Sequence, residues 1–222
     1  MRVFYNYAPW ILAAIGVLAG SFGYYLDVIC QVSYEWVLWI GVFLLLTIGG
    51  FITGRLIQGL NLSSHTDFLT GLWNRRCFYL KLGEEETRAT RKKTPLCVAM
   101  IDVDNFKNVN DIYGHASGDE ILSEIAAILN HNTRATDIVT RCGGDEFAII
   151  FSATSLAEAY EVMERIRRKV EVRFQSSCNL TISAGIIALE PGRDLKELLI
   201  KADQALYKAK TQKNAIITVK ET

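Results

Sequence analysis

The sequence lacks three features that would each indicate a particular class of protein. Its 24 Lys and Arg residues balance its 24 Asp and Glu residues, so no net charge draws it to nucleic acid or anionic lipid. Its five cysteines include no Cys-x-x-Cys pair, which argues against a disulfide framework and a structural zinc site. No internal repeat or low-complexity tract is visible. A basic nucleic-acid-binding protein and a disulfide-rich domain are therefore disfavoured.

Charge is also scarce at the beginning of the chain. The uncharged runs 9–26 and 36–54 are each long enough to cross a hydrocarbon core of about 30 Å. The sequence therefore predicts a two-helix transmembrane hairpin over residues 1–57. Glycine pairs in both runs permit close helix contact, either within one hairpin or between two copies. The first 60 residues carry only these charged side chains: Arg2, Asp27, Glu35 and Arg55.

The few charges indicate an orientation for this hairpin. Arg2 and Arg55 flank its outer ends, whereas the connecting segment 27–35 has two acids and no Lys or Arg. The positive-inside rule then places both termini in the cytoplasm. We therefore expect a multi-pass membrane protein with a cytoplasmic C-terminal domain. Cys30, in the outward loop, is a candidate for an intermolecular disulfide.

The rest of the chain alternates between helical and strand patterns. Residues 58–66 are predicted to be a linker, and residues 67–222 a separate domain. Interleaved strands and helices with a central hairpin turn predict an α+β sheet covered by helices. The predicted helices are Trp73–Lys93, Asp119–His131, Leu156–Val170 and Leu195–Lys210; the predicted strands are Leu96–Ile101, Ile138–Arg141, Phe147–Phe151, Leu180–Leu189 and Ile216–Val219.

Acidic residues are concentrated at two places in this domain. Asp102 and Asp104 end the first strand, and Asp145 and Glu146 occupy the hairpin turn. Carboxylates that meet at a sheet edge can hold a hard cation such as Mg²⁺ and leave positions for phosphate oxygens. The two glycines before Asp145 let a bulky ligand approach the backbone. The pattern therefore predicts a metal and phosphate site.

Residues between the two acidic pairs suit a nucleotide. Lys107 and the backbone amides after Asp104 can neutralise phosphate groups. Asn110 and Asp119 combine an amide with a carboxylate acceptor, which matches the carbonyl and N–H donors of guanine. Asp119 is alternatively a helix N-cap.

Together these residues resemble the GGDEF family, the diguanylate cyclases. The signature is Gly143-Gly144-Asp145-Glu146-Phe147, and the resemblance covers residues 67 to about 219. It implies a palm-type α+β fold similar to that of nucleotidyl cyclases. The other blocks are Asp67-x-Leu69-Thr70-Gly71-Leu72-x-Asn74-Arg75-Arg76, Asp102 to Asp119, Thr181-x-Ser183-x-Gly185 and Ala205-Leu206-Tyr207-x-Ala209-Lys210.

The resemblance also implies a reaction. Diguanylate cyclases condense two GTP molecules into cyclic di-GMP and release two pyrophosphates. Each domain presents one GTP, so the activity implies a homodimer. The family further implies bacterial second-messenger signalling. The predicted transmembrane hairpin adds an inner-membrane location, and the balanced charge predicts no nucleic-acid partner.

The resemblance assigns metal and catalytic roles residue by residue. Asp102, Asp145 and the Val103 carbonyl would hold Mg²⁺, with Mn²⁺ as an alternative. Glu146 would lie close by, and Arg141 would face the reacting phosphate.

Substrate contacts follow in the same way. Asn110 and Asp119 would bind guanine, and lysines would bind the triphosphate. Gln212–Asn214 departs from the family's Gly-Arg-Asn and is one residue shorter, so Lys213 replaces a phosphate-binding arginine and its bidentate fork. The implied substrate residues are Phe106, Lys107, Asn110, Asp119, Gly144, Lys210 and Lys213.

The resemblance implies a second site just before the predicted β-hairpin. Arg134-Ala135-Thr136-Asp137 resembles the R-x-x-D site at which product inhibits these enzymes, and Arg165 would be its second basic residue. Arginine forks suit guanine or phosphate.

Two other functions are compatible with part of the pattern. A non-catalytic receptor for cyclic di-GMP would need only Arg134 and Asp137, and would leave the intact acidic residues without a purpose. A cyclase that makes another nucleotide is disfavoured by Asn110 and Asp119. The input signal and the effector are not encoded in any recognisable motif.

Overall fold

The chain folds into two units. The computed structural model describes residues 2–30, 36–63, 65–189 and 195–219. One compact unit spans Met1–Ser64 and the other His65–Thr222.

The first unit is a pair of helices, α1 (Arg2–Cys30) and α2 (Trp36–Ser63). Glycines allow the two helices to approach closely. A side chain on Gly16 would meet the α2 backbone at Leu46, and one on Gly20 would collide with the ring of Phe43. Glycine in this unit therefore supports packing within one hairpin.

The predicted membrane location of this unit is wrong. Within the described residues, no helix is both long enough and apolar enough to cross a membrane. The inner-membrane localisation is therefore withdrawn, and the hairpin is not supported as a transmembrane one. The loop 31–35 and the Cys30 side chain lie outside the described residues.

The predicted linker is shorter than expected. Helix α2 continues to Ser63, so residues 58–63 are helical rather than part of a linker. This segment contains Gly59 and three polar residues but no proline, and polar residues alone do not end a helix.

The second unit is a six-stranded mixed sheet with strand order β1-β3-β4-β2-β5-β6. Strand β2 is central and pairs antiparallel with β4 and β5, whereas β5 and β6 are parallel. The predicted α+β fold is confirmed. Its elements are β1 (Trp73–Asn74), α3 (Arg75–Lys92), β2 (Leu96–Val103), α4 (Phe106–His131), β3 (Ile138–Arg141), β4 (Glu146–Ser152), α5 (Leu156–Phe174), β5 (Ile182–Leu189), α6 (Leu195–Gln212) and β6 (Ile216–Val219).

Both faces of the sheet are covered, which explains the continuous apolar run of β2. Alternate side chains of a strand point to opposite faces. Cys97, Ala99 and Ile101 pack on one side with α4 and α5, and Leu96 and Val98 pack on the other with α3 and α6. The apolar residues at helical spacing are therefore mostly core, as their periodicity predicts.

Two helices begin where the sequence pattern does not place them. Helix α3 starts at Arg75 because Trp73–Asn74 pairs with β3, and the Asn74 side chain then caps the helix by accepting from the Cys77 N–H at 3.1 Å. Helix α4 starts at Phe106 instead of Asp119. It is kinked at Gly114, where φ is 81°.

Candidate active site

The two acidic pairs meet at one edge of the sheet. Asp102 lies at the end of β2, opposite Glu146 of β4 on one side and Ser183 of β5 on the other. The Val103 N–H donates to the Asp145 carbonyl at 3.2 Å. Strand pairing therefore brings these acids together from positions more than 40 residues apart in the sequence.

Asp102 is buried with one oxygen unused. Its residue is 4 % exposed, and Oδ2 accepts from the Lys210 ammonium at 2.8 Å. Oδ1 has no hydrogen-bond partner among the described residues. Burial raises the pKa of Asp102 to about 6 against the opposing effect of Lys210, and the charges of Asp145 and Glu146 raise it further. A buried carboxylate oxygen left in this way is unfavourable without a ligand.

These carboxylates fit a magnesium ion that arrives with its substrate. Among the described residues, no group of three or more His, Cys, Asp or Glu side chains could hold a metal. Mg²⁺ in phosphate-transfer sites commonly uses one or two carboxylates and completes its shell with water and phosphate oxygens. Asp102 and Asp145 offer such a partial set, and Asp102 Oδ1 is free to serve as a ligand.

Arg141 holds the hairpin turn that carries Asp145. Its Nε and Nη2 donate to the Gly144 carbonyl at 3.1 and 2.8 Å, and its Nη1 donates to Asp67 Oδ1 at 2.9 Å. Burial works against ionisation of Asp67, but hydrogen bonds from Arg141 and Thr70 outweigh it and lower the pKa of this carboxyl. The contacts of Arg141 thus fix the turn, and its predicted place at the reacting phosphate stays a prediction.

The two glycines of the turn leave space at this site. A side chain on Gly143 would lie 3.0 Å from Glu146 Oε2, whereas one on Gly144 would meet nothing within 4 Å. The surface beside Gly144 is therefore open, as a ligand that approaches the backbone would require.

The start of α4 has the properties of a phosphate site. Asn105, at the N-cap position, has a φ of 57° and makes no side-chain capping bond. Its Oδ1 accepts instead from Lys213 Nζ at 2.9 Å. Exposed Lys107 lies in the first turn of α4. Helix N-termini attract anions, so these two lysines reinforce the positive end of the helix.

The predicted guanine residues lie on either side of the kink in α4. A side chain on Gly118 would collide with Asn110 Oδ1 and would lie 3.2 Å from the ring of Phe106. Asn110 and Phe106 are therefore packed against Gly118, the residue before Asp119. Asp119 itself is exposed. Asp119 lies inside α4, so the alternative that it caps a helix is wrong.

A pocket beside Asp102 contains residues that sequence reasoning missed. It has a volume of about 380 Å³ and lies between α3 and α6. Two of these residues, Arg75 and Asp203, interact through their charges. Burial raises the pKa of Asp203, and the positive charge of Arg75 offsets part of this rise. Arg75 belongs to a block that resembles the family but was given no role there, and no local pattern marks Asp203, which belongs to an otherwise ordinary amphipathic helix. Pocket residues near the acids include Arg75, Tyr79, Glu146, Asp203, Tyr207 and Lys210.

The residues of the predicted inhibitory site also lie together. The Arg134 N–H donates to Asp137 Oδ2 at 2.9 Å, and Asp137 Oδ1 is buried without a hydrogen-bond partner among the described residues. Burial raises the pKa of Asp137. Arg165 of α5 donates to the carbonyl of Asn132 at 2.8 Å, two residues before Arg134. Two arginines and a carboxylate with one unused oxygen are thus gathered at the end of α4.

Comparisons with known proteins agree with this architecture. Residues 64–215 match the family described as diguanylate cyclase, GGDEF domain. Response regulator PleD of Caulobacter vibrioides is 41% identical over 160 residues, which cover 68% of this chain and 35% of PleD. Diguanylate cyclase DosC of Escherichia coli is 41% identical over 149 residues, covering 65% of this chain and 32% of DosC. The chain thus spans about a third of the length of these relatives.

Solved structures are similar as well. The GGDEF domain of DgcB from Caulobacter crescentus, in complex with c-di-GMP, is 31% identical with a TM-score of 0.66 and covers 70% of this chain and 96% of that chain. Diguanylate cyclase SiaD of Pseudomonas aeruginosa, in complex with its activator SiaC, is 33% identical with a TM-score of 0.66 and covers 91% of this chain and 76% of that chain. The predicted palm-like form of the mixed α+β sheet is thereby confirmed.

Proposed function

Because this chain belongs to the GGDEF diguanylate cyclase family, we propose that it condenses two GTP molecules into cyclic di-GMP and releases two pyrophosphates. The observation that carries this proposal is the unpartnered oxygen of buried Asp102, directly opposite the hairpin turn that bears Asp145 and Glu146. A domain that had lost its catalytic activity would have no physical need for a buried carboxylate with an unpartnered oxygen.

Asp102, Asp145 and the Val103 carbonyl would hold Mg²⁺, or Mn²⁺ in its place. Bound there, the ion supplies charge neutralisation and lowers the pKa of an attacking hydroxyl. The protein's own contribution is to keep the two carboxylates in register by strand pairing and to hold the hairpin turn through Arg141.

Other residues bind and orient the nucleotide. Asn110 and Asp119 would bind the guanine edge, with Phe106 packed beside them. The triphosphate would be held by cations near the start of α4 and the end of α6, namely Lys107, Lys210 and Lys213. Gly144 leaves room for the reacting end of the substrate.

The reaction needs two such sites. Each GTP supplies a 3′-hydroxyl that attacks the α-phosphate of the other, so two domains must face each other. We therefore propose a homodimer as the active form. Cyclic di-GMP would restrain it by binding Arg134, Asp137 and Arg165, where Asp137 Oδ1 can accept a hydrogen bond from guanine.

Incubation of the purified full chain with GTP and Mg²⁺, followed by mass spectrometry of the products, tests this function. We expect cyclic di-GMP and two pyrophosphates for each product molecule. If a folded chain forms no product but still binds cyclic di-GMP, the chain is a receptor and not an enzyme. A different cyclic nucleotide would overturn the substrate assignment.

A further inference from the structure

The turn between α6 and β6 has an unusual backbone. Lys213 and Asn214 have φ angles of 56° and 47°, so two consecutive residues that are not glycine adopt the left-handed conformation. This conformation is uncommon for residues with a side chain, and it persists only where the surroundings enforce it. The contacts that enforce it here come from both sides of the turn.

On one side the backbone of the turn is fixed by the core. The Asn214 N–H donates to Asp104 Oδ2 at 2.9 Å, and the Lys213 N–H donates to the Ala209 carbonyl at 2.8 Å. Asp104 is 3 % exposed and also accepts from the hydroxyls of Thr181 and Ser183 at 2.7 and 2.8 Å. The turn is thus tied to the same loop that follows Asp102.

On the other side the Asn214 side chain is held by α5. Its Oδ1 accepts from Arg167 Nη1 at 2.6 Å, and its Nδ2 donates to Glu171 Oε1 at 2.7 Å. Arg167 is itself fixed, because Nε and Nη2 donate to the two carboxylate oxygens of Glu164 at 2.7 and 2.8 Å. Both ends of the Asn214 amide are therefore bound.

This double attachment determines where Lys213 points. The Lys213 ammonium lies 2.9 Å from Asn105 Oδ1, at the N-terminus of α4. A lysine binds phosphate as a point charge on a flexible stem and lacks the pre-organised fork of arginine. Its backbone must then supply the positioning that its side chain does not.

We propose that Asn214, held by Arg167, is a positioning residue that directs Lys213 to the triphosphate of GTP. This assignment rests on the proposed function, since it takes GTP as the ligand. It differs from a purely structural role for the turn because it predicts a loss of GTP affinity in a chain that remains folded, and because that loss depends on Lys213.

Asn214→Gly in the full chain is the primary test. Glycine removes both side-chain hydrogen bonds but adopts a positive φ without strain, so the chain should stay folded at the temperature of the binding measurement although its unfolding midpoint falls. The dissociation constant of α,β-methylene-GTP with Mg²⁺, measured by calorimetry, should rise about tenfold, the scale of one lost charge-assisted contact. An unchanged constant would overturn the assignment.

Two arginines of α5 allow a comparison. Arg167 and Arg168 both pair with Glu164, but Arg167 is less exposed and also contacts Glu171 and Asn214. Arg167→Met should weaken binding of the same analogue several-fold, whereas Arg168→Met should leave it within about twofold. Equal effects of the two changes would contradict a role through Asn214.

A double variant shows whether Asn214 acts through Lys213. In a Lys213→Met background, Asn214→Gly should cause little further loss of analogue affinity, because the charge it positions is already absent. Fully additive losses would overturn the proposal. The unmodified chain separates the two levels of inference: if it fails to bind the analogue, the proposed function itself is wrong, whereas binding that is insensitive to Asn214→Gly overturns only the positioning role.

Discussion

Asp102 and Asp104 lie two residues apart and are equally buried, yet their surroundings differ completely. Asp104 accepts three hydrogen bonds, from Thr181, Ser183 and the Asn214 N–H. Asp102 pairs only with half-exposed Lys210 and keeps one oxygen without a partner among the described residues. The Asp104 carboxylate therefore joins parts of the fold, whereas the Asp102 carboxylate is available to a ligand.

The same distinction identifies the second candidate site. Among the described residues, only two buried carboxylate oxygens lack a hydrogen-bond partner, Asp102 Oδ1 and Asp137 Oδ1. One lies where substrate is proposed to bind and the other where product is proposed to bind. Native proteins rarely leave such groups unsatisfied, so each of these two oxygens is a place where a ligand, an ion or a water molecule can bind.

The largest effect is expected at the proposed metal site beside Asp102. Asp145→Asn removes a charged metal ligand and should reduce cyclic di-GMP synthesis by about 10³-fold or more. The fold should remain, because Asp145 lies in the turn and the Arg141 contacts do not involve its side chain. Product yield measured by mass spectrometry, with circular dichroism as the control for folding, decides this. Near-normal turnover would remove Asp145 from the metal site.

A smaller effect is expected at the proposed product site, beside the Asp137 carboxylate. Arg134→Ala should raise the concentration of cyclic di-GMP needed for half-inhibition by about tenfold or more, because a guanidinium that can bind guanine or phosphate is lost. Arg173→Ala is a matched control, since Arg173 is an exposed arginine whose partners in the described part of the chain are Glu124 and the ring of Phe174. Equal inhibition of the two variants would contradict the product site.

The smallest effect concerns a carboxylate whose oxygens are both used. Hydrogen bonds from Arg167, and then Arg168, lower the pKa of Glu164 from 4.5 to about 2. A depressed pKa in the folded state stabilises the fold above pH 4.5, and this contribution is lost as the pH falls towards 2. Glu164→Gln should therefore lower the free energy of unfolding by about 1 kcal/mol at pH 7. Urea titrations at pH 7 and pH 3 check this, and an equal difference at both would contradict the ion-pair explanation.

Periodicity predicted most of the fold because the core is built from it. The hairpin strands and β6 lie where short apolar runs placed them, with β6 at Ile216–Val219 as expected. The first half of α4 was missed because Phe106–Tyr113 has polar residues around much of its surface and ends at the kink of Gly114. The uncharged runs located α1 and α2, but a lack of charge is not a sufficient criterion for crossing a membrane.

The site was only partly predictable for a related reason. Two acidic pairs at strand ends were expected to meet, and strand pairing does bring them together. The residue pattern alone treated Asp102 and Asp104 alike, and only the resemblance assigned the metal to Asp102; the structural role of Asp104 was not visible, because its partners lie 77 to 110 residues away in sequence. Likewise, Arg141 was assigned to phosphate from the resemblance, whereas its contact with Asp67 spans 74 residues. Local patterns identify candidate residues, and only tertiary contacts show which of them are already occupied.

The free energies of unfolding of Asp102→Ala and Asp104→Ala, measured in urea at pH 7, test this account most directly. Both changes remove the same atoms from equally buried positions. Asp104→Ala leaves one buried and two part-buried donors without their acceptor and should cost about 3 kcal/mol or more, whereas Asp102→Ala should change stability by less than about 1 kcal/mol. Equal destabilisation by the two changes would show that Asp102 is a structural carboxylate, and the proposed ligand site at this edge would then be wrong.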